Sequence, residues 1–199
     1  MLWKTGFRLA ACAAALSVGG VAQASDADVR ICYDYGCARE ALVKIDAATL
    51  EQVGAWLKEA QDAANERARI ARAVADLYLV AGWQTPIWRD RGGNFDDDRD
   101  LPGAMDCIDH AANTSAFIAL LARNGALRFH RHTEAIRRMR FLAEHWAARI
   151  VENESGVEYA VDSWYFDFGT PAVVMPLPDW RAGRDPRRAP LAKNSEAGP

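Results

Sequence analysis

Hydrophobic residues recur at helical spacing between residues 46 and 81. Asp46 is a suitable N-cap for the first of two predicted helices, and the second runs from about Asp62 to Ala81. Each helix carries one apolar stripe, formed by Leu50, Val53, Trp56 and Leu57 in the first and by Ile70, Val74, Leu77 and Tyr78 in the second. We expect both stripes to face a common core.

A third helix is predicted to begin near Cys107. Pro102 and Gly103 interrupt the chain before it, and Asn124 and Gly125 are typical of a helix end. Cys107 then lies in the first turn, where unpaired N–H groups and the helix dipole favour a thiolate over a thiol. The pattern therefore predicts a nucleophilic cysteine with a lowered pKa.

Beyond residue 126 the helical spacing gives way to extended patterns. Strands are predicted at 127–132, 144–152, 157–166 and 172–175, with a hairpin turn at 153–156. The stretch 136–143 fits a helix and a strand equally well. Helices followed by an antiparallel sheet give the α+β fold class.

The composition indicates a single domain, and the first 24 residues indicate export. Hydrophobic residues make up 50% of the 199-residue chain and charged residues 26%. Residues 1–24 combine a positive start, a short apolar core and a small-residue cleavage site after Ala24, as secretory signal peptides do. Residues 25–180 are predicted as a single α+β domain and residues 181–199 as a disordered tail. We therefore expect a periplasmic or secreted protein.

Hydropathy and charge narrow the choice of partners. Cys12 follows a lipoprotein-like sequence, but the apolar core lies after it rather than before, so lipidation is not favoured. No segment approaches the ~20 apolar residues of a transmembrane helix. Residues 1–24 carry two positive charges and no negative one, so the formal net charge of −3 becomes −5 without them. An acidic chain argues against a nucleic-acid partner.

Three cysteines remain after the predicted signal peptide. Cys32 and Cys37 flank a turn-forming sequence, and export permits disulfides, so we expect these two to be bonded. A loop this short gains only ~1–2 kcal/mol from the cross-link, which would act locally. Two reduced cysteines or half of a metal site are the alternatives. With the disulfide formed, Cys107 is the free thiol.

A thiol nucleophile needs a histidine, and the histidine needs a group that orients its ring. His110 is on the same predicted helix as the thiol and is expected to lie beside it rather than across a substrate. His130 and His132 have no acidic residue in phase nearby. His145 begins a strand whose hairpin partner carries Asp162, and pairing across the turn brings the two together.

These residues resemble those of the bacterial transglutaminase-like cysteine peptidases, within the wider papain-like group. Asp106 and Cys107 open a helix, His145 opens a strand about forty residues later, and a Val-Asp-Ser-Trp sequence containing Asp162 and Trp164 closes the next strand. The resemblance implies a nucleophile helix packed on an antiparallel sheet. It implies Cys107 as nucleophile, His145 as base and Asp162 as the residue that orients the histidine, with Trp164 shielding their hydrogen bond.

The resemblance spans about residues 80–180, and the chain departs from it at two positions. The family usually has an acidic residue directly after the cysteine, and some members bind calcium there, but this chain has Ile108 followed by Asp109. The acidic run 96–100 lacks the spacing of a calcium loop, so we expect no cofactor and keep calcium as an alternative. Trp146 stands where a small residue is common and is expected to narrow the site.

The leading hypothesis is an exported thiol hydrolase or acyl transferase that acts on an amide bond in a protein or in a cell-wall peptide. The backbone N–H of Cys107 is the expected oxyanion donor, and the side chain of Gln84 is a weaker candidate. A second hypothesis is a catalytically silent protein of the same fold that binds a partner through the loop from Trp83 to Trp88. A third is a zinc site formed by Cys107, His110 and neighbouring Asp side chains, which lacks a fourth ligand and has poor tetrahedral spacing.

Overall fold

The computed structural model describes residues 25–94 and 98–188. The predicted signal peptide and most of the predicted tail lie outside these ranges. The strands are β1 (Ala27–Tyr33), β2 (Arg39–Ile45), β3 (His130–Arg140), β4 (Ala143–Glu152), β5 (Glu158–Asp162) and β6 (Val173–Pro176). The helices are α1 (Ala47–Lys58), α2 (Ala63–Gly82), α3 (Cys107–Arg123) and α4 (Leu177–Arg181), with 3-10 turns at Pro86–Arg89 and Pro186–Arg188. The fold is α+β, with a two-stranded and a four-stranded antiparallel sheet.

An N-terminal hairpin precedes the helices, so the predicted order of helices first and sheet second is incomplete. Strands β1 and β2 pair from Ala27 opposite Ile45 to Tyr33 opposite Arg39. Alternate side chains of β1, including Val29 and Ile31, are buried against the helices. Buried and exposed residues alternate along β1, as in a strand, but this pattern is short and interrupted by charged residues.

The predicted helices form as expected, and their polar caps explain where they begin. Asp46 and Asp62 accept hydrogen bonds from backbone N–H groups in the first turns of α1 and α2. Asp106 caps α3 by accepting from the N–H groups of Ile108 and Asp109, and the Asp109 side chain accepts from the Asp106 N–H in return. This reciprocal pair fixes Cys107 as the first residue of α3.

The four-stranded sheet has the order β3-β4-β5-β6. The ambiguous stretch 136–143 is the end of β3 and the turn into β4, and β3 begins at His130 rather than at residue 127. Between β4 and β5 the register runs from Ala148 opposite Val161 to Val151 opposite Glu158. This register differs by one residue from the predicted one and still brings the start of β4 close to the end of β5.

The larger hydrophobic core lies between the helices and the two sheets, and α3 packs against β1, β3 and β4. A smaller core of aromatic side chains lies beyond the end of β5 and includes Trp164, Tyr165 and the fully buried Trp180. Residue 181, where the predicted disordered tail begins, is the last residue of α4, and a turn and a 3-10 turn follow as far as residue 188. None of the helices in the described ranges is long and apolar enough to cross a membrane.

Candidate active site

His145 and Asp162 form a buried hydrogen-bonded pair. The Nε2 atom of His145 lies 2.7 Å from Oδ2 of Asp162, and both residues are buried. His145 is the third residue of β4, and Asp162 is the last residue of β5. The hairpin register therefore places an imidazole beside a carboxylate, as the sequence predicts.

Three hydrogen bonds hold the Asp162 carboxylate as an anion. Besides His145, the indole N–H of Trp180 donates to Oδ2 at 2.8 Å and the backbone N–H of Trp164 donates to Oδ1 at 3.2 Å. Burial alone would raise the pKa of Asp162, but the hydrogen bond and charge of His145 and the indole of Trp180 outweigh it and hold the pKa below its usual value. The carboxylate is therefore available to orient the imidazole and to stabilise an imidazolium.

Three aromatic rings surround the imidazole of His145. Trp164 meets it edge-on, with ring centroids 4.8 Å apart, and Trp180 stacks on it at 5.6 Å. Tyr165 approaches edge-on at 6.0 Å. Because these rings exclude water, they strengthen the hydrogen bond between His145 and Asp162.

Cys107 lines the same cavity as His145. The cavity has a volume of about 160 Å³ and is lined by Tyr35, Asn94, Arg99, Asp106, Cys107, Glu144, His145 and Trp164. The half-buried thiol lies 3.9 Å from the backbone carbonyl oxygen of Glu144, the residue before the histidine. The hydrogen bond recorded for His145 within the described ranges uses Nε2, and Nδ1 is the ring nitrogen that Asp162 does not engage.

The electrostatic environment of Cys107 is the opposite of the expected one. Burial raises the pKa of the thiol to about 11 and outweighs the hydrogen bond of the Trp146 backbone, which lowers it, while the carboxylates of Asp106 and Asp162 raise it further. The prediction of a lowered pKa considered only the helix start. It omitted the loss of water and the two carboxylates that the fold places nearby, so the resting group is a thiol.

The predicted disulfide between Cys32 and Cys37 is present and packs next to the start of α3. The backbone N–H of Cys37 donates to the buried Asp109 carboxylate at 2.6 Å. Burial, reinforced by repulsion from Asp106, raises the pKa of Asp109 to about 6. These three residues, Cys32, Cys37 and Asp109, are also the one cluster of potential metal ligands in the described ranges, but the two bonded sulfur atoms are not thiolates.

His110 belongs to a separate buried network that sequence reasoning did not detect. Its Nδ1 lies 2.8 Å from Oγ of Ser163, and its Nε2 lies 3.0 Å from Oδ2 of Asp90. The other carboxylate oxygen of Asp90 accepts from the backbone N–H of Met105, two residues before Cys107. This network links the start of α3 to the residue that follows Asp162. It engages both ring nitrogens of His110, one of which the zinc hypothesis requires as a ligand.

Two other side chains lie elsewhere than expected. The Gln84 amide hydrogen-bonds both backbone groups of Lys44 in β2, so the interpretation of Gln84 as an oxyanion donor is wrong. Trp146 does not narrow the cavity that contains Cys107. It forms one wall of an adjacent apolar pocket of about 260 Å³, which shares Glu144 with that cavity and is lined by Ile108, Ala111, Ala112, Ala135, Glu144 and Trp146.

The fold and the site together define an α+β protein in which a thiol and a buried histidine–aspartate pair share one cavity. Comparison with known proteins finds no matching family model, no matching curated sequence and no matching solved structure.

Proposed function

We propose that this protein is an exported thiol hydrolase or acyl transferase of the transglutaminase-like group, acting on an amide bond through Cys107, His145 and Asp162. The observation that carries the proposal is the 2.7 Å hydrogen bond between His145 and Asp162 in the cavity that Cys107 lines. The disulfide and the predicted signal peptide support export to the periplasm or the medium.

In the proposed reaction, Nδ1 of His145 takes the thiol proton as the sulfur of Cys107 attacks the carbonyl carbon of the amide. The C–N bond then breaks, and the leaving nitrogen takes that proton from the imidazolium. Water, activated by the same imidazole, hydrolyses the thioester and restores the thiol. An amine in place of water gives acyl transfer with the same proton balance.

The raised pKa of Cys107 favours general-base attack over a preformed thiolate–imidazolium pair. A thiol with a pKa of about 11 stays protonated at neutral pH, so proton transfer has to accompany the attack on carbon. The Asp162 carboxylate favours this transfer because it stabilises the imidazolium that forms. The oxyanion would be stabilised by the backbone N–H of Cys107, a group that Asp106 leaves uncapped.

The surroundings of the thiol indicate a peptide substrate with an apolar residue next to the reacting bond. The pocket lined by Ile108, Ala112 and Trp146 adjoins the cavity of the thiol and is almost entirely apolar. A protein and a cell-wall peptide are both compatible with a pocket of this kind.

The test is alkylation of the thiol by iodoacetamide across pH. If His145 acts as the base, wild type is alkylated near neutral pH far faster than a thiol of pKa about 11 allows, and His145→Ala lowers the rate at least about tenfold. His132→Ala, which alters a histidine on β3 that does not line the cavity, is the matched control and keeps the wild-type rate. Cys107→Ser confirms the site of labelling.

A second candidate is a catalytically silent binding protein, and two observations favour it. The thiol pKa is raised rather than lowered, and an apolar groove of about 400 Å³ at the end of α2 exposes Trp83 and Trp88. In that case wild type and His145→Ala share one slow alkylation profile with a midpoint near pH 11, and this result would exclude the catalytic proposal.

A further inference from the structure

The turn between β3 and β4 exposes apolar side chains to an unusual degree. Phe141 is 96% exposed and Leu142 98%, and the neighbouring Met139 is 54% exposed. Isolated exposed apolar residues are common on protein surfaces, but two adjacent and almost fully exposed ones at the end of a hairpin are a protrusion without a partner in the described chain.

The local fold does not explain these residues. Phe141 has a φ of +56°, a left-handed conformation that glycine or asparagine adopts more easily than an aromatic residue. Neither Phe141 nor Leu142 belongs to either hydrophobic core. The turn therefore combines a strained aromatic residue with unburied apolar surface.

The two segments at this turn carry a net positive charge, whereas the whole chain has a formal net charge of −3. The guanidinium of Arg140 donates to the backbone carbonyl of Gly183 at 3.2 Å, which joins the end of the hairpin to the segment after α4. Residues 137–144 and 179–187 together contain six arginines and three carboxylates. Three of the arginines form ion pairs with these carboxylates, Arg137 with Glu144, Arg184 with Asp179 and Arg187 with Asp185. Arg138 donates to the Trp180 carbonyl and the Tyr165 hydroxyl. Arg140 and Arg181 are exposed, and the six arginines and three carboxylates leave a net charge of +3.

We propose that the hairpin tip, defined as Met139, Phe141 and Leu142, docks the protein onto an anionic lipid bilayer. The apolar side chains would enter the boundary between headgroups and acyl chains, while the exposed Arg140 and Arg181 would contact lipid phosphates. Two features favour a bilayer over a protein. The apolar surface is a narrow protrusion of three side chains rather than a flat patch, and its rim is positive.

The proposal is tested by co-sedimentation of the protein with vesicles. Wild type is expected to bind vesicles of phosphatidylcholine mixed with phosphatidylglycerol, to bind pure phosphatidylcholine poorly, and to be released by added salt. The double variant Phe141→Ser/Leu142→Ser is expected to bind the anionic vesicles at least about tenfold more weakly, because its two apolar side chains can no longer enter the bilayer. Its thermal unfolding should match wild type, since neither side chain is buried.

The matched control is Leu42→Ser, which removes an apolar side chain 71% exposed on β2, away from the hairpin tip. This variant should bind anionic vesicles as wild type does. Wild type and all variants are prepared in the same form, either all with residues 1–24 or all without them. The apolar N-terminal segment therefore cannot produce a difference between them. Equal binding by wild type and the double variant, or no binding of wild type to anionic vesicles, would overturn the proposal. Self-association abolished by the double variant, without vesicle binding, would identify the tip as a protein contact instead.

Discussion

Asp162 accepts hydrogen bonds from an imidazole and an indole side chain and from a backbone N–H, and each of these donors would be left buried without it. The residue thus connects the chemistry of the site to its packing. One of these bonds orients His145, and the other two attach Trp164 and Trp180 to the end of β5.

Asp162→Asn is expected to lower both reactivity and stability. A neutral amide cannot stabilise the imidazolium, and we expect slower alkylation of the Cys107 thiol and a loss of about 1–3 kcal/mol in the free energy of unfolding at neutral pH.

The pKa of Asp162 is lowered in the folded protein, so its stabilising effect is present above about pH 4 and is lost as the pH falls through the folded value. Wild type should therefore lose more stability on acidification than the variant, as measured by urea unfolding. Equal losses of stability in wild type and Asp162→Asn on acidification would contradict a stabilising role of the Asp162 charge.

Asp109 is expected to have the opposite pH dependence. Its pKa is raised to about 6, so the folded protein binds a proton that the unfolded chain releases, and stability decreases as the pH rises from about 4 to 6. Asp109→Asn should remove this decrease, which amounts to about 1–3 kcal/mol. Asp28→Asn, at an exposed position on β1, is the matched control and should keep the wild-type dependence in urea unfolding across that pH window.

Among the elements, α2 and β3 are joined by a buried carboxylate. Glu66 accepts from the backbone N–H groups of Arg128 and Phe129 at 2.5 and 2.9 Å and lies 2.7 Å from Nδ1 of His130. The expectation that no acidic residue lies in phase near His130 is wrong, because Glu152 faces it on β4 and Glu66 reaches it from a helix 64 residues earlier.

Glu66→Ala is expected to reduce the free energy of unfolding by about 3 kcal/mol, since it leaves two N–H groups and an imidazole buried without an acceptor. Urea unfolding monitored by tryptophan fluorescence measures the loss. Glu51→Ala, at an exposed position on α1, is the matched control and should change stability by less than about 0.5 kcal/mol. Equal effects of the two substitutions would exclude a structural role for the Glu66 contacts.

The distance along the chain decides which features the sequence predicts. Helix α3 and its Asp106 cap are local, and His145 and Asp162 are 17 residues apart on strands of one hairpin, so spacing alone brings them together. The contact of His110 with Ser163 spans 53 residues and depends on how α3 packs on the sheet. The role of Trp180 is equally hidden, because nothing in its local sequence indicates that α4 returns to Asp162.

At the scale of the whole molecule, the disulfide closes the turn of the β1–β2 hairpin, and hydrogen bonds from both cysteines join this turn to α3. Cys32 accepts and donates backbone hydrogen bonds with the Asn113 side chain on α3, and Cys37 donates to Asp109 on the same helix. The bonded segment thus contacts the helix that begins with Cys107 at two places.

Reduction of the disulfide is expected to destabilise the protein by about 1–2 kcal/mol through loop closure alone. The thermal midpoint should fall in the presence of dithiothreitol. The variant Cys32→Ser/Cys37→Ser should have a midpoint that no longer responds to the reductant, whereas Cys107→Ser should respond as wild type does. A midpoint of wild type that is unchanged by dithiothreitol would contradict a stabilising disulfide.

The hydrogen bond from Cys37 to Asp109 also has a consequence for the order of events in the life of the chain. Asp109 is half of the reciprocal cap that begins the helix of the free thiol, and its other carboxylate oxygen is shared with that cap. In a reducing compartment the bridge stays open, and the loop that presents the Cys37 N–H has no covalent restraint. Oxidation of the two cysteines therefore restrains the start of the helix that carries the thiol, so that closure of the disulfide and the positioning of Cys107 are coupled.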